Sequence, residues 1–245
     1  MGKRVLITGS NRGIGKKLVE QFAQNGFNIV ACARKKDDSF DEYLKDIVRM
    51  YNIDVTTSYF DMEDEQCVKR ELKSVINKVK TVDVLINNAG YGQNALFPMI
   101  SSNELKKEMQ INYISPIIIS QMVSRVMIRN GGGSIINIAS VSGIRNEQGR
   151  LAYGSSKAAL IFATKTMSLE LAPNNVRVNS VSPGFIDTDM WNNRSEQIYK
   201  KVLSETPLGR QGNTKDVADL VYYLASDAAS YITGQNIVVD GGRMI

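Results

Sequence analysis

Short apolar runs alternate with segments of helical periodicity along the whole chain of 245 residues, and this alternation constrains the fold more than any other feature. The runs, for example Val5-Leu6-Ile7 and Val84-Leu85-Ile86, are apolar at consecutive positions, as strands covered on both faces require. Strands that alternate with helices in this way are typical of parallel βαβ units. The sequence therefore predicts an α/β fold, a single domain with a doubly wound parallel sheet of about seven strands and helices on both faces.

Helices and strands can be assigned along the chain from this pattern. The predicted strands are Arg4–Thr8, Asn28–Ala33, Val55–Phe60, Val82–Asn87, Ser134–Ser140, Val176–Val181 and Ile237–Val239. The predicted helices are Ile14–Asn25, Ser39–Tyr51, Asp64–Val79, Ser102–Arg129, Ala152–Leu171 and Lys215–Ala225. Pro116 lacks a backbone N–H, so the fourth helix should be kinked or divided just after Asn112. The longest segment without strand character, Gly184–Pro207, is predicted to hold a substrate lid around residues 185–206.

Composition excludes several classes of protein. The net charge of +5 is spread over short basic runs, which argues against nucleic-acid binding. No apolar run approaches the roughly 18 residues of a transmembrane helix, and the first apolar segment is too short for a signal peptide. The two cysteines, Cys32 and Cys67, lie in unrelated contexts and do not suggest a disulfide framework. We therefore expect a cytoplasmic protein without nucleic-acid or membrane partners.

The first predicted strand runs directly into a glycine-rich turn, Gly9-Ser10-Asn11-Arg12-Gly13-Ile14-Gly15, which a helix follows. Glycines allow the backbone to approach a pyrophosphate, and the helix N-terminus offers free N–H groups and the positive end of its dipole. Because the turn lies in the strand–loop–helix setting that this mechanism needs, the sequence predicts a Rossmann-like nucleotide-binding domain.

The end of the second predicted strand bears on the choice between the two nicotinamide cofactors. NAD-specific sites usually place an Asp or Glu there, which binds the ribose 2′-hydroxyl. This chain instead has Arg34, and Arg12 lies within the glycine-rich turn. Cations at these positions favour the 2′-phosphate of NADP(H) through charge-assisted hydrogen bonds. A longer loop could still bring Asp37 or Asp38 to the ribose, so that alternative stays open.

The chain contains no histidine. This excludes Ser-His and Cys-His nucleophile pairs and every His-ligated metal centre, and no metal site is predicted. Tyr153 and Lys157 stand four residues apart in a predicted helix, downstream of Ser140. One helical turn places both side chains on one face, and a positive charge beside a phenol favours the phenolate. We therefore expect Lys157 to lower the pKa of Tyr153 and make it a general acid/base.

Taken together and in this order, the motifs resemble the short-chain dehydrogenase/reductase family of the classical type, over essentially the whole chain. The matching pieces are Thr8–Gly15, Asp61, Asn87-Asn88-Ala89-Gly90, Asn112, Ser140, Tyr153 with Lys157, Pro183-Gly184 and Thr188. The resemblance implies that Tyr153 protonates a carbonyl oxygen, which Ser140 also binds, as hydride arrives from the nicotinamide. It further implies that Lys157 holds the nicotinamide ribose and that Asn112 orients a water between Lys157 and solvent.

The same resemblance implies two sets of site residues. The catalytic set is Asn112, Ser140, Tyr153 and Lys157. The set implied to bind NADP(H) is Gly9, Asn11, Arg12, Gly13, Ile14, Gly15, Arg34, Asp61, Met62, Asn88, Ala89, Gly90, Tyr153, Lys157, Pro183, Gly184, Ile186 and Thr188. Ser142 stands at a different offset from Tyr153 than the family serine, and we interpret it as secondary.

Within the family, the carboxy-terminal half is most similar to 3-oxoacyl-[acyl-carrier-protein] reductases of fatty acid biosynthesis. The similar segments are Asn179–Met190, Pro207–Arg210, Leu224–Asp227, Tyr231–Gln235 and Val239–Gly242. The implied activity is NADPH-dependent reduction of a ketone, a 3-oxoacyl thioester, to a secondary alcohol. The loops where such enzymes carry basic carrier-docking residues have few cations here: they read Asn130–Gly133 and Pro173–Asn175, with Arg129 nearby.

Two other functions stay open. The predicted pocket segments carry polar residues that could bind a keto-sugar, a polyol or another small ketone or secondary alcohol: Gln93, Asn94, Arg145, Asn146, Glu147 and Arg150. The lid residues Met190, Trp191 and Tyr199 could instead form an apolar wall for an acyl chain. A catalytically silent NADP(H)-binding regulator is the alternative from another class, although retention of the whole catalytic set argues against it.

Self-association is predicted from the helix that carries Tyr153. Ala158–Ala163 is apolar at six consecutive positions, which covers the whole circumference of a helix rather than one face. One side can pack on the sheet, and the other side needs a partner. The family pairs helices across two-fold axes, so we expect a homotetramer or homodimer.

Overall fold

The computed structural model describes residues 2–188 and 196–245. One parallel sheet of seven strands, in the order β3-β2-β1-β4-β5-β6-β7, forms the centre of a single Rossmann-like domain, which confirms the predicted fold class. The strands are β1 (Arg4–Thr8), β2 (Asn28–Ala33), β3 (Val55–Tyr59), β4 (Val84–Asn87), β5 (Gly133–Ile138), β6 (Val176–Pro183) and β7 (Asn236–Val239). The α-helices within the described ranges are α1 (Gly13–Gln24), α2 (Asp38–Tyr51), α3 (Glu65–Val79), α4 (Ser102–Met109), α5 (Ser115–Arg129), α6 (Leu151–Leu171), α7 (Glu196–Ser204) and α8 (Thr214–Ala225).

Both faces of the sheet are covered, which explains the continuous apolar runs. Successive side chains of a strand point to opposite faces. In β1, Val5 and Ile7 pack with α1, α2 and α8, whereas Leu6 packs with α3 and α5 on the other face. All three side chains are fully buried, so every position of the strand has to be apolar.

The order of the strands locates the binding crevice. The chain builds β1, β2 and β3 in one direction and then returns to place β4 on the other side of β1. Ligands of open α/β sheets bind at the carboxyl ends of the strands where this reversal occurs. The glycine-rich turn after β1 and the segment after β4 therefore meet at the crevice.

The helical region that was predicted to be interrupted contains a π-helical turn, Gln110–Ile114, between α4 and α5. In this turn Ser115 donates its backbone N–H to the carbonyl of Gln110, five residues earlier. Pro116 follows at the start of α5 and cannot donate to the carbonyl of Asn112, the acceptor that an α-helix would assign to it. The interruption is thus a widened turn centred on Asn112, and such turns are frequent at functional sites.

Residues Ser102–Arg129 together form one helical segment whose length and mean hydropathy would allow it to cross a membrane. More than half of the apolar part, 56%, is buried within the protein. Ile119, Val123 and Met127 of α5 are buried against the sheet. The segment therefore packs as a core helix.

Most predicted elements lie within a few residues of the observed ones, and the clearest difference is α7. This helix, Glu196–Ser204, occupies part of the segment that was predicted as a substrate lid, to which no helix was assigned. It carries Tyr199, whose ring packs edge-on against Phe185 at 5.1 Å between centroids. The predicted lid residues Met190 and Trp191 lie outside the described residues.

Candidate active site

The turn between β1 and α1 can form only with glycine at two positions. Gly9 has φ +64°, a backbone conformation that favours glycine. A Cβ added to Gly15 would lie 2.0 Å from the carbonyl oxygen of Gly9. The side-chain amide of Asn88 donates to the carbonyl oxygens of Thr8 and Gly9, at 2.9 and 3.0 Å. The turn is therefore tightly closed and held to the segment after β4.

The N-terminus of α1 differs from those of α2, α3 and α8. Asp37, Asp64 and Asn213 each accept hydrogen bonds from the first backbone N–H groups of α2, α3 and α8. Among the residues that the structure describes, no side chain caps α1, and no acidic residue lies in its first turn. An uncapped first turn leaves N–H groups and a positive dipole end available to an anion.

A cavity of about 570 Å³ opens above this turn. Every residue that was predicted to bind NADP(H) lines it, from Gly9 in the turn to Thr188 after β6. Ser140 lines it as well, whereas Asn112 is buried behind it. The volume lies in the range of roughly 300–1,000 Å³ that is usual for small-molecule sites. The sequence motifs, though far apart in the chain, thus surround one space.

The glycine-rich turn and the end of β2 each present a cation to this cavity. Arg12 and Arg34 are exposed residues in its lining. The carboxylate of Asp37 points to its own helix, since it accepts hydrogen bonds from the backbone N–H and the hydroxyl of Ser39 at 2.9 and 2.7 Å. Capping of α2 therefore engages Asp37, one of the two acids that the sequence left as alternative ribose ligands, and neither Asp37 nor Asp38 lines the cavity.

Ser140, Tyr153 and Lys157 lie together at the other end of the cavity. Tyr153 and Lys157 stand one turn apart on α6 and are both buried, and Ser140 follows the end of β5. The Ser140 hydroxyl hydrogen-bonds the Tyr153 phenol and also accepts the backbone N–H of Ser142 at 3.1 Å. Lys157 Nζ donates to the carbonyl oxygen of Ile138 at 2.8 Å. The predicted cluster is therefore present.

The prediction that Lys157 lowers the pKa of Tyr153 was wrong for this structure. Burial raises the pKa of Tyr153 above its ordinary value, and the hydrogen bond from Ser140 and the charge of Arg150 oppose the rise only in part. Burial also lowers the pKa of Lys157 to about 8. Desolvation penalises both charged forms, and Lys157 Nζ is directed to Ile138 rather than to the phenol. Tyr153 is thus kept as a protonated phenol at neutral pH.

The π-helical turn positions Asn112 against the loop after β4. Its Oδ1 accepts the backbone N–H of Tyr91 at 2.9 Å, and its Nδ2 donates to the Tyr91 carbonyl at 2.7 Å. Glu108, one turn earlier, accepts the N–H of Gln93 at 2.9 Å through Oε1. The two side chains therefore hold the loop at both sides of Gly92, where an added Cβ would lie 2.6 Å from the ring of Tyr153.

Three features of the site were not predicted. Glu108 is fully buried, and among the described residues its Oε2 has no hydrogen-bond partner, so burial raises its pKa. Arg150, which was considered only as a ligand for polyols, lies over the ring of Tyr153. Arg243 pairs with Glu147 at 3.2 Å and with Glu205 at 2.9 Å. Only the spacing of Glu108 and Arg150 from the catalytic residues could have drawn attention to them.

A further cavity of about 550 Å³ adjoins the first. Ser142, Glu147 and Arg150 line both cavities and thus mark their junction. The outer cavity is bounded on one side by Leu96 and Phe97 and on the other by the start of α6.

A doubly wound sheet with a glycine-rich turn at the point where the strand order reverses is typical of one class, the dinucleotide-binding proteins. Comparison with known proteins gives the family. A family model described as enoyl-(acyl carrier protein) reductase matches residues 9–243. The chain is 38% identical to the 3-oxoacyl-[acyl-carrier-protein] reductase FabG of Thermotoga maritima over 250 residues, which covers 100% of this chain and 98% of the relative. It is 36% identical to FabG of Aquifex aeolicus, over 98% of this chain and 97% of the relative. The chain therefore belongs to the short-chain dehydrogenase/reductase family and is an oxidoreductase, as the motifs indicated.

Solved structures agree with this assignment. Acetoin dehydrogenase YohF from Salmonella typhimurium is 33% identical and superposes with a TM-score of 0.91, covering 100% of this chain and 96% of that one. A 7α-hydroxysteroid dehydrogenase solved with NADH and 7-oxo glycochenodeoxycholic acid is 32% identical, with a TM-score of 0.92, covering 98% of this chain and 94% of that one. YwfH, an NADPH-dependent reductase of bacilysin biosynthesis, is 29% identical, with a TM-score of 0.94 over 100% and 99%.

Proposed function

We propose that the protein reduces the ketone of a 3-oxoacyl thioester to a secondary alcohol with NADPH as the hydride donor. The observation that carries this proposal is a Ser–Tyr–Lys cluster in the wall of a cavity of about 570 Å³ that adjoins a second, partly apolar one. The FabG relatives, which match along almost their whole length, give the substrate class.

The proton chemistry follows from the environment of Tyr153. Its raised pKa keeps a proton on the phenol at neutral pH, which suits a general acid in carbonyl reduction. Ser140 would share the carbonyl oxygen and stabilise the charge that develops on it. Lys157 would bind the nicotinamide ribose from its buried position on α6. A Cβ at Gly90 would lie 3.5 Å from Lys157 Nζ and 3.4 Å from Asn112 Oδ1, so both groups border Gly90, and the proposed relay from Lys157 to solvent would pass there.

The residues of the cavity fit NADPH. The tight turn at Gly9 and Gly15 allows the backbone to approach a diphosphate, and the uncapped start of α1 favours its charge. Arg12 and Arg34 would bind the 2′-phosphate, where Asp37 is occupied in capping α2. Since solved relatives are described with NADH or as NADPH-dependent, these arginines carry the choice of cofactor.

The outer cavity fits the substrate tail. Leu96, Phe97 and Leu151 supply an apolar wall that is exposed in the structure and could bury part of an acyl chain. The predicted lid, residues 185–206, remains part of the proposal, with α7 and the contact between Phe185 and Tyr199 as its described portion. A carrier protein is not required by this geometry, so a coenzyme A thioester is an adequate test substrate.

A substrate panel tests the proposal. NADPH absorbance is followed with acetoacetyl-CoA, a 3-oxoacyl-carrier thioester, crotonyl-CoA, a keto-sugar and a simple diketone. We expect rapid turnover of the 3-oxoacyl thioesters and none of crotonyl-CoA. Turnover of crotonyl-CoA instead would favour enoyl reduction, to which the name of the family model refers. Turnover of the keto-sugar, with no turnover of the thioesters, would favour a keto-sugar or polyol as the substrate. Tight NADPH binding without any turnover would support a silent regulator.

Self-association through α6 belongs to the same proposal. Phe162 is 74% exposed and Leu169 is 78% exposed, while Leu160 and Ala163 of the same helix are buried. An exposed apolar stripe of this kind is typical of a protein interface. We expect light scattering at micromolar concentration to give the mass of a dimer or tetramer, and Phe162→Asp to lower it. A monomeric mass for the wild-type protein would contradict this part of the proposal.

A further inference from the structure

Arg150 is a buried cation with an unused hydrogen-bond donor. Its side chain is only 7% exposed, and Nε has no hydrogen-bond partner among the residues that the structure describes. Buried polar groups are almost always paired, and a buried charged donor without a partner carries a substantial desolvation cost. A position of this kind therefore calls for a partner, and a ligand can supply one.

The guanidinium group lies next to the reacting centre. Its Cζ is 5.0 Å from the centroid of the Tyr153 ring. Arg150 also lines both cavities and so stands where a substrate would pass from the catalytic cavity to the outer one. A group on the substrate that lies a few bonds from the reacting ketone would reach this junction.

The backbone around Arg150 directs the side chain to this position. Arg150 immediately precedes α6 and receives a hydrogen bond on its carbonyl from Gly154 N–H at 2.7 Å. Its own N–H donates to the carbonyl of Glu147 at 3.2 Å. Arg150 is thus held three residues before Tyr153, at the rigid end of a long helix rather than on a free loop.

The carboxylates near Arg150 have other partners. Glu147 binds Arg243 at 3.2 Å and the Ser142 hydroxyl at 3.2 Å. Glu108 accepts the N–H of Gln93, and its charge acts on Arg150 through space. These carboxylates balance the guanidinium charge without occupying Nε. The guanidinium therefore lies in the pocket wall with Nε unpartnered and buried, so the side chain has to turn for Nε to reach an oxygen acceptor on the substrate.

We propose that Arg150 determines substrate specificity by donating a hydrogen bond to a second oxygen of the substrate, the carbonyl or carboxylate that lies next to the reacting ketone. This inference rests on ketone reduction at Tyr153 and narrows the class of ketone. In a 3-oxoacyl thioester the second oxygen is the thioester carbonyl, and in a 3-oxo acid it is the carboxylate. Monoketones lack it and leave the donor unpaired.

The test compares three ketones that differ in the second oxygen. Acetoacetyl-CoA offers a neutral carbonyl, acetoacetate offers a carboxylate, and 2-butanone offers neither. kcat and KM are measured with saturating NADPH for the wild-type protein, Arg150→Gln and Arg150→Lys. Arg49→Gln serves as the matched control, because Arg49 is an exposed arginine on α2 that pairs with Glu42 and Asp46. Thermal unfolding and NADPH affinity are recorded for each variant.

We expect Arg150→Gln to lower kcat/KM by about 10- to 100-fold for the ketone with a second oxygen that the wild-type protein prefers. The kcat/KM for 2-butanone should change by less than about threefold. Arg150→Lys should lower kcat/KM less than Arg150→Gln does, and Arg49→Gln should leave kcat/KM unchanged for all three ketones. The ketone that the wild-type protein prefers shows whether the second oxygen belongs to a neutral thioester carbonyl or to a carboxylate.

Two results would overturn the inference. An equal loss for all three ketones, with a shifted pH profile, would mean that Arg150 acts only on the acidity of Tyr153. If the substitution does not change kcat/KM for acetoacetyl-CoA or acetoacetate relative to 2-butanone, Arg150 makes no contact with the second oxygen. Should wild-type turnover be too slow to measure, the same comparison is made by calorimetric binding of acetoacetyl-CoA and acetoacetate to Tyr153→Phe with NADPH. Equal affinities with and without the Arg150→Gln substitution would then exclude the contact. If acetoacetyl-CoA does not bind but acetoacetate does, only the proposed thioester substrate is contradicted.

Discussion

The two ends of the cavity of about 570 Å³, which we propose to bind phosphate and substrate, are built in different ways. The phosphate end is made of backbone and glycine: Gly9 and Gly15 close the turn, and Asn88 holds it through hydrogen bonds to main-chain carbonyls. The substrate end is made of charged side chains, among which Glu108 Oε2 and Arg150 Nε lack partners in the described part of the chain.

This difference corresponds to what we propose that each end binds. A diphosphate is the same in every nicotinamide dinucleotide, so main-chain N–H groups in a fixed turn are sufficient to bind it. The side chains of this turn need not differ between enzymes of the fold. A substrate differs from one enzyme of this fold to the next, and side chains from separate segments supply the specific contacts. The phosphate end should therefore respond to added volume, and the substrate end should respond to changed charge and protonation.

The largest effect is expected at the proton donor of the substrate end. Tyr153→Phe keeps the ring against Gly92 and removes the hydroxyl, so kcat should fall by roughly 1,000-fold or more, given the usual contribution of general acid catalysis. The dissociation constant for NADPH should stay unchanged, because the ring still fills its space. Tyr51→Phe, which removes an exposed hydroxyl that contacts Gln24, is the control for both measurements. Turnover near the wild-type rate would remove Tyr153 from its assigned role.

The next effect concerns the cations at the phosphate end. Arg34→Asp should repel a 2′-phosphate and offer a carboxylate to a ribose hydroxyl, which would shift the kcat/KM ratio of NADPH to NADH by about 100-fold. Lys36→Asp makes the same change of charge two residues away, outside the cavity lining, and should shift the ratio far less. A wild-type protein that already prefers NADH would contradict the assignment of Arg34.

Added volume tests the phosphate end directly. Gly15→Ala would place a methyl group 2.0 Å from the Gly9 carbonyl, and we expect a loss of about 1–3 kcal/mol in the free energy of unfolding, together with weaker NADPH binding. Gly26→Ala has a positive φ but no atom within 4 Å of the added Cβ, so it reports backbone strain alone and should leave NADPH affinity unchanged. Chemical denaturation and fluorescence titration measure the two effects. Equal NADPH affinity in Gly15→Ala would show that the turn does not need its close approach.

The smallest effect is a dependence on pH. Lys157 loses its charge above a pKa of about 8, while the raised pKa of Tyr153 keeps the phenol protonated there. For ketone reduction, kcat/KM should be flat below pH 8 and fall by about tenfold per unit above it, which stopped-flow assays can measure. A flat profile to pH 9.5 would show that the Lys157 charge is not needed.

The same shift has a consequence for stability. The folded protein binds fewer protons at Lys157 than the unfolded chain between pH 8 and the ordinary lysine value of 10.5. The free energy of unfolding therefore rises with pH across that window, and the penalty for burying the ammonium is fully present below pH 8. Lys157→Met should lack this rise in denaturation experiments.

What could be predicted from the sequence follows the same division between the two ends. The parallel sheet, the glycine-rich turn and the spacing of Tyr153 and Lys157 could all be predicted, because each depends on residues that are close in the chain and on periodicities of the backbone. The helix α7 was missed, since its short amphipathic pattern lies within a segment that was interpreted only as a lid without strand character.

The amino-acid sequence by itself determined the fold class, the nucleotide-binding turn and the identity of the residues that meet at the cavity. Tertiary structure alone decided how those residues behave. The pKa of Tyr153 rises instead of falling because packing against Gly92 and α6 removes water from the phenol, an effect that spacing along a helix does not reveal. Glu108 likewise lies far from Tyr153 in the chain, and only the folded arrangement brings its charge near Tyr153. Arg150 is close in the chain, but only the structure shows that its guanidinium lies over the Tyr153 ring.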